Sequence, residues 1–260
     1  CVPKGGMRSD NSDHTVGDHS MKVLNLGCGT KTSPKAINID WSMYLSIKKN
    51  RLFKLCAPLF LNDERRKKLR NLNDTILVHD IRKGLPFADS SVDVVYHSHI
   101  LEHVDRELVE TFLREIQRVL VPGGIHRIAV PDMEYLCKTY LEHVTLVERN
   151  ASLMAGHDQY ISVIIEQMVR KKAYGTSQQP LVIRWLENAL LGDARKRGET
   201  HQWMYDRFNL AHLLGQNGFK NIEVLGFNKS SIPNWQSYGL EMKEDGSEYK
   251  PHSLYMEAVR

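Results

Sequence analysis

Cysteine is scarce and long apolar runs are missing, and each scarcity argues against a class of protein. Cys1, Cys28, Cys56 and Cys137 are the only cysteines among 260 residues and stand at no paired spacing. That pattern argues against a disulfide framework and against a C-x-x-C metal site, and points to a reducing compartment, the cytoplasm. No stretch reaches the ~20 apolar residues of a spanning helix. Residues 1–20 are polar and rich in Gly, Ser and Asp rather than built like a signal peptide. They are expected to form a disordered leader, with Met7 and Met21 as candidate starts. Charge of one sign is scarce as well: the formal net charge is +4, too near balance for a general nucleic-acid surface. The chain is 42% apolar and can bury one sizeable core, so residues 21–260 are expected to be one domain with an insertion.

What is present is organised around Val23 to Thr30, V-L-N-L-G-C-G-T, where the apolar run Val23, Leu24, Leu26 reads as a buried strand that stops at Gly27. Gly27 and Gly29 flank Cys28 and let the backbone turn with no Cβ in the way, so a ligand can lie against main chain. Ala36 to Ile39 reads as a second strand ending in Asp40, thirteen residues after Gly27, where an acid can grip ribose hydroxyls. A dinucleotide fingerprint needs a third glycine, a full helix and an acid about 20 residues on. Pro34 and the short spacing leave room for one helical turn at most. The pattern suits a nucleoside ligand without phosphates.

V-L-N-L-G-C-G-T resembles the first motif of the class I, Rossmann-like, S-adenosylmethionine-dependent methyltransferases. The likeness continues through Ile37 to Asp40, through H-D-I-R-K-G-L-P-F-A-D-S-S-V-D-V-V-Y-H-S-H-I-L-E-H-V (79–104) and through V-P-G-G-I-H-R-I-A-V-P-D (121–132). It implies an α/β fold: a doubly wound, mostly parallel seven-stranded sheet whose last strand inserts antiparallel. It also implies S-adenosylmethionine as cofactor and S-adenosylhomocysteine as product, held by Asn25, Gly27, Cys28, Gly29, Asp40, Trp41, Asp80, Ile81, His97 and Ser98. In the family the position of Asp80 accepts from the adenine amine and its apolar neighbour, here Ile81, packs the ring; a plain cap is the other reading of Asp80. Two departures stand out: Asn25 replaces the usual acid, and Lys31 stands where a third glycine is common.

Further strands are expected at Thr75–His79, Val92–Tyr96, Ile125–Val130, Ile222–Phe227 and around Leu254, Met256 and Ala258. Between them, the stripe Leu108, Val109, Phe112, Leu113, Ile116, Val119 and Leu120 predicts a helix from 105 to 121, ended by Pro122-Gly123-Gly124. Residues 133–200 hold helical spacings and no strand signal, so they are expected to be a helical insertion after the fifth strand. It either covers the active site or forms a homodimer surface. H-Q-W-M-Y-D (201–206) and H-S-L-Y-M-E-A (252–258) resemble a bacterial subgroup of predicted methyltransferases associated with surface-polysaccharide synthesis.

Open α/β sheets place ligands at the carboxyl edge, where His97-Ser98-His99 follow the fourth strand. The set His97, His99, Glu102 and His103 could be read as metal ligands. Ser98 as an N-cap, and the likeness of S-H-I-L-E-H-V to the family's ordinary post-strand motif, weigh against a metal. Methyl transfer to a hydroxyl is an in-line displacement that needs positioning and a base. His99, His201 and Tyr205 are the candidate bases. No N-P-P-Y motif occupies residues 96–99, and no cysteine nucleophile follows the fourth strand, which disfavours DNA adenine and cytosine methylation. A sugar, glycan or small-molecule hydroxyl remains as acceptor, with nucleic acid disfavoured. A non-catalytic cofactor-binding or scaffold protein is the second reading. Residues 44–70 mix bulky apolar groups (Leu52, Phe53, Leu59, Phe60) with the basic run Arg65-Arg66-Lys67-Lys68. They are either a sheet-covering amphipathic helix with a solvated basic face or a peripheral contact with an anionic membrane.

Overall fold

Val23, Asn25, Leu24 and Leu26 are all buried, as a strand covered on both faces must be, and form β1 (Val23–Leu26). The computed structural model describes residues 21–41, 45, 48, 67, 69–167 and 200–260. In them β1 is joined by β2 (Ile37–Asp40), β3 (Leu77–Val78), β4 (Val92–Ser98), β5 (Leu120–Pro131), β6 (Lys220–Leu225) and β7 (Ser253–Val259). The seven strands make one sheet in the order β3-β2-β1-β4-β5-β7-β6. Neighbours are parallel except β7, which runs antiparallel to both β5 and β6. This is the Rossmann-like methyltransferase sheet expected from the resemblance. Strand order reverses between β1 and β4, and the crevice at their carboxyl ends is where such a sheet binds ligands.

Helix α1 (Arg106–Val119) buries Val109, Phe112, Leu113, Ile116 and Val119 against one sheet face. There it meets Leu24, Leu26, Val95 and Ile128, together with Leu210 and Leu214 from α4 (Arg207–Gln216), in the main core. The helix after β4 ends before Pro122-Gly123-Gly124, which lies within β5 rather than closing the helix. Leu120 already pairs with Val92, and Ile125 with Val94, so the extra residues are absorbed as an irregularity in the ladder. Edge strands also depart from expectation: β3 shrinks to two residues, with Leu77 exposed, and β6 begins two residues early. A short edge limits unwanted pairing.

The opposite face of the sheet is covered near β1 and β4 by the connection between β6 and β7, where Ile232, Trp235 and Leu240 pack on Val23, Val94 and Tyr96. A fully buried Arg127 on β5 fastens that connection. Its Nε donates to both carboxylate oxygens of Glu241 at 3.0 Å and its Nη1 to Glu257 Oε1 at 2.7 Å, while Trp235 Nε1 donates to Glu241 Oε2 at 2.9 Å. Each buried charge thus has a partner, without which burial would cost several kcal/mol.

After β5, α2 (Met133–Arg149), a 3-10 turn (Ala151–Gly156) and α3 (His157–Gln167) form the described part of the helical insertion. Asp132 begins α2 by accepting from the Tyr135 amide. Residues 168–199 lie outside the described residues, as does most of 44–70, including Leu52, Phe53, Leu59, Phe60, Arg65, Arg66 and Lys68. Of that segment, Leu45 is buried with Cys28, Leu72 and Ile76, and Lys48 pairs with Asp74 at 3.0 Å. Among the described residues no helix is long and apolar enough to cross a membrane.

Candidate active site

The turn after β1 is built by side chains that never leave the interior. Asn25 Nδ2 donates to Lys31 O at 3.0 Å and to Asn38 Oδ1 at 2.9 Å, and Asn38 Oδ1 accepts from the Ser33 amide. Asn25 is therefore an organiser of the loop, buried beneath it, and no carboxylate is needed to order it. Lys31 has a role unreadable from sequence: its Nζ donates to Met242 O at 2.7 Å and lies over the Tyr249 ring at 4.5 Å. The glycine turn is thus tethered to the β6–β7 connection.

Gly27 and Gly29 both take left-handed backbone, φ +61° and +53°. Above Gly27 the space is filled, since a Cβ there would lie 2.2 Å from Ile100 Cδ1 and 3.5 Å from Trp41. Above Gly29 no described residue lies within 4 Å. Open main chain therefore begins at Gly29, whose amide donates to Asp40 Oδ2 at 2.7 Å. Gly27, Gly29, Asp40 and Trp41 come together as expected at the carboxyl ends of β1 and β2, with Ile100 beside them. Cys28 contributes main chain only: its side chain packs into the Leu45 cluster, and burial pushes the thiol up to about 12.

Three of the residues expected to contact the cofactor are engaged within the protein. Asp80 carries a two-pronged pair with Arg82 (2.8 and 2.9 Å) and caps the 3-10 turn Ile81–Lys83, so its carboxylate already has a cation. Ile81 is fully buried in the main core and offers no face to an adenine ring. His97 also faces the interior. It shares the inward face of β4 with Val95, packs against Phe112, and its Nε2 lies 3.0 Å from His126 Nε2. With no exposed surface it lines no cofactor. Burial pushes His97 down to about 3 and His126 well below the usual range, so both rings are neutral.

Ser98 ends β4 and is half-buried, with its carbonyl 3.5 Å from Lys250 Nζ. It caps no helix, because the next element is a 3-10 turn (Leu101–His103) that starts from Ile100 without a side-chain cap. His99 lies between them with φ +54°, so it and His103 are not an i, i+4 pair on one helix. Its Nε2 is 2.8 Å from Ser253 Oγ and its Nδ1 is 3.5 Å from Glu102 Oε1. Burial and the charge of Lys250 push His99 down to about 2, which leaves it neutral with a lone pair available.

Behind His99 the chain closes on itself. The Gln202 amide donates to Glu102 O at 2.6 Å, Met133 N donates to Tyr205 O, and Tyr205 bridges to Asp132. H-Q-W-M-Y-D is thereby laid across the 3-10 turn. Glu102, His103 and His201 are brought together, with one ligating atom of each within 4.8 Å of the others. Tyr205 is buried in the main core and its phenol is raised by burial and by Glu102. Of the three candidate bases, His99 alone combines partial exposure with proximity to the glycine turn, being next to Ile100.

Residues 24–128 match the model of a methyltransferase domain family. No curated protein matches the chain by sequence. Among solved structures, a SAM-dependent methyltransferase from Archaeoglobus fulgidus is similar at 14% identity and TM-score 0.41, over 92% of this chain and 86% of that one. An S-adenosylmethionine-dependent methyltransferase from Mesorhizobium loti gives 15% and 0.39, over 93% and 91%. The family match covers the whole glycine turn, Asp40 and the β4 edge, and S-adenosylmethionine is the cofactor that it supports. Residues 24–128 are thus similar to a methyltransferase domain, and S-adenosylmethionine is the cofactor that fits it.

Proposed function

We propose that the chain is an O-methyltransferase acting on a hydroxyl of a sugar, glycan or other small molecule, with His99 as the base. The observation that carries this reading is the position of His99. It stands just beyond β4 and one residue before Ile100, which closes over Gly27, with its ring on Ser253 and Glu102. S-adenosylmethionine, when bound, supplies a methyl group on a sulfonium; the carbon–sulfur bond breaks as the carbon–oxygen bond forms. Asp40, Trp41 and the open main chain at Gly29 would hold the cofactor, with Asp40 accepting from ribose hydroxyls. As the acceptor oxygen takes the methyl group its proton becomes strongly acidic and passes to the neutral imidazole of His99, which Ser253 would orient through Nε2. The sugar class rests on the resemblance of residues 201–206 and 252–258 to polysaccharide-associated methyltransferases. Labelled cofactor incubated with nucleotide-linked and lipid-linked sugars tests it. Transfer is expected, and His99→Gln should lower kcat by roughly 10²–10⁴-fold while leaving S-adenosylhomocysteine affinity unchanged. An unchanged kcat removes His99 as base, and label on no sugar removes the acceptor class.

A further inference from the structure

Glu102 is a buried carboxylate for which methyl transfer has no direct use. Both of its oxygens are shut off from solvent and accept no hydrogen bond, although its main-chain carbonyl takes the Gln202 amide. Lys250 faces it, but the ammonium reaches Ser98 O instead of the carboxylate. A buried charged group left in this state is costly, and buried polar atoms almost always find partners. A second orphan lies beside it: His103 Nδ1 is also buried without a partner. His201 completes the group, its ring 4.7 Å from that of His103 in an edge-to-face arrangement.

The orientation of His201 points the same way. His201 Nδ1 lies 2.9 Å from Gln167 O, an acceptor, so Nδ1 must carry the proton and Nε2 the lone pair. Fixing one imidazole nitrogen on a main-chain carbonyl so that the other can ligate is how metal-binding histidines are oriented. Two imidazoles and one carboxylate form the three-ligand set of catalytic zinc sites, which leaves further positions open. Exposed acidic clusters are common without ions; this one is mixed, with Glu102 buried and both histidines half-buried.

We propose that Glu102, His103 and His201 bind one divalent transition metal of the zinc type. One cation would satisfy the Glu102 carboxylate and a His103 nitrogen at once, which no other described group does. The expectation of no metal was drawn from residues 97–103 alone; the ligand that completes the set comes from 201, across the fold. An open coordination position could hold an acceptor oxygen and lower its pKa. That step alone rests on the methyl-transfer reading, whereas metal binding stands without it.

The test uses the full chain without an affinity tag, stripped with a chelator and dialysed against Zn²⁺ or Co²⁺. One metal per chain is expected, with visible d–d bands in the cobalt protein and a melting temperature that rises with free Zn²⁺ because only the native state binds. Glu102→Gln and His201→Ala should each weaken binding by roughly tenfold or more, with S-adenosylhomocysteine calorimetry reporting that the variants remain folded. X-ray absorption at the zinc edge of the unaltered chain needs no variant and should give two imidazoles and an oxygen. Absence of stoichiometric metal, binding equal in the variants, or a shell containing sulfur from Cys1 would overturn the proposal. Retained metal with no methyl transfer to any acceptor would uphold it and count against the function instead.

Discussion

The Gly29 amide and the Asp40 carboxylate share one hydrogen bond of 2.7 Å, which ties the turn after β1 to the tip of β2. One buried carboxylate thus shapes the turn from the tip of the neighbouring strand. Replacing Asp40 with Ala should weaken S-adenosylhomocysteine binding by about 2–4 kcal/mol, since ribose hydroxyls and a main-chain amide all lose a charged acceptor. Calorimetry on the folded variant decides it; unchanged affinity would take Asp40 out of the site.

The two glycines of the turn should respond differently to alanine. Both adopt left-handed backbone, so each substitution costs about 1–2 kcal/mol of stability. Gly27→Ala also drives a methyl into Ile100, whereas Gly29→Ala meets no described residue. Urea denaturation should therefore show Gly27→Ala as the less stable variant, partly restored by Ile100→Ala. Gly29→Ala should lose cofactor affinity out of proportion to its stability, because its methyl enters the space left for the ligand.

Stability should fall on mild acidification through the His97–His126 pair. Each imidazole is buried, each Nδ1 is without a partner, and Phe112 and Phe219 wall the pair from the helix side. His97 titrates near 6.5 when unfolded and at about 3 when folded. Its folded pKa is depressed, so the unfolded chain binds the proton first, and stability is lost as pH drops below 6.5. The slope is about 1.4 kcal/mol per pH unit for His97 alone. Denaturation series between pH 6.5 and 5 should show it, and a His97→Leu/His126→Leu protein should show a flatter dependence.

Removing the guanidinium of Arg127 should strand two buried carboxylates. Arg127→Met is expected to cost about 3–5 kcal/mol, with much of the loss recovered when Glu241→Gln and Glu257→Gln are added. Chemical denaturation of the single and triple variants measures it. A single variant as stable as the parent would mean that the network contributes nothing net.

The inner strands were legible because continuous burial leaves an apolar run, as in β1 and β4, while the edge strands β3 and β6 obey pairing rather than pattern and were misplaced by a few residues. The alternation of β4 could have corrected His97: it falls in phase with Val95, which faces α1, and not with Ser98. Gly29, Asp40 and Trp41 could be found because local spacing fixes them. Ile81 and Asp80 could not, since the choice between ligand and core, or ligand and Arg82, depends on where the 3-10 turn leans. Nothing local links Glu102 to His201 or Lys31 to Met242. Such pairs exist only once strands β5 and β7 bring distant loops to the same edge.

Because Asp132 and Tyr205 are bridged, the helical insertion leaves the sheet and returns to it at one point. A segment anchored in this way is an excursion whose length the sheet does not sense: doubling a flexible loop adds only about 0.6 kcal/mol of closure cost. Whole replacement of the stretch between the two residues should then leave the cofactor turn standing. Its far anchor, however, is the strip that sets His201 beside Glu102, so an exchange that reaches residue 201 also dissolves that cluster.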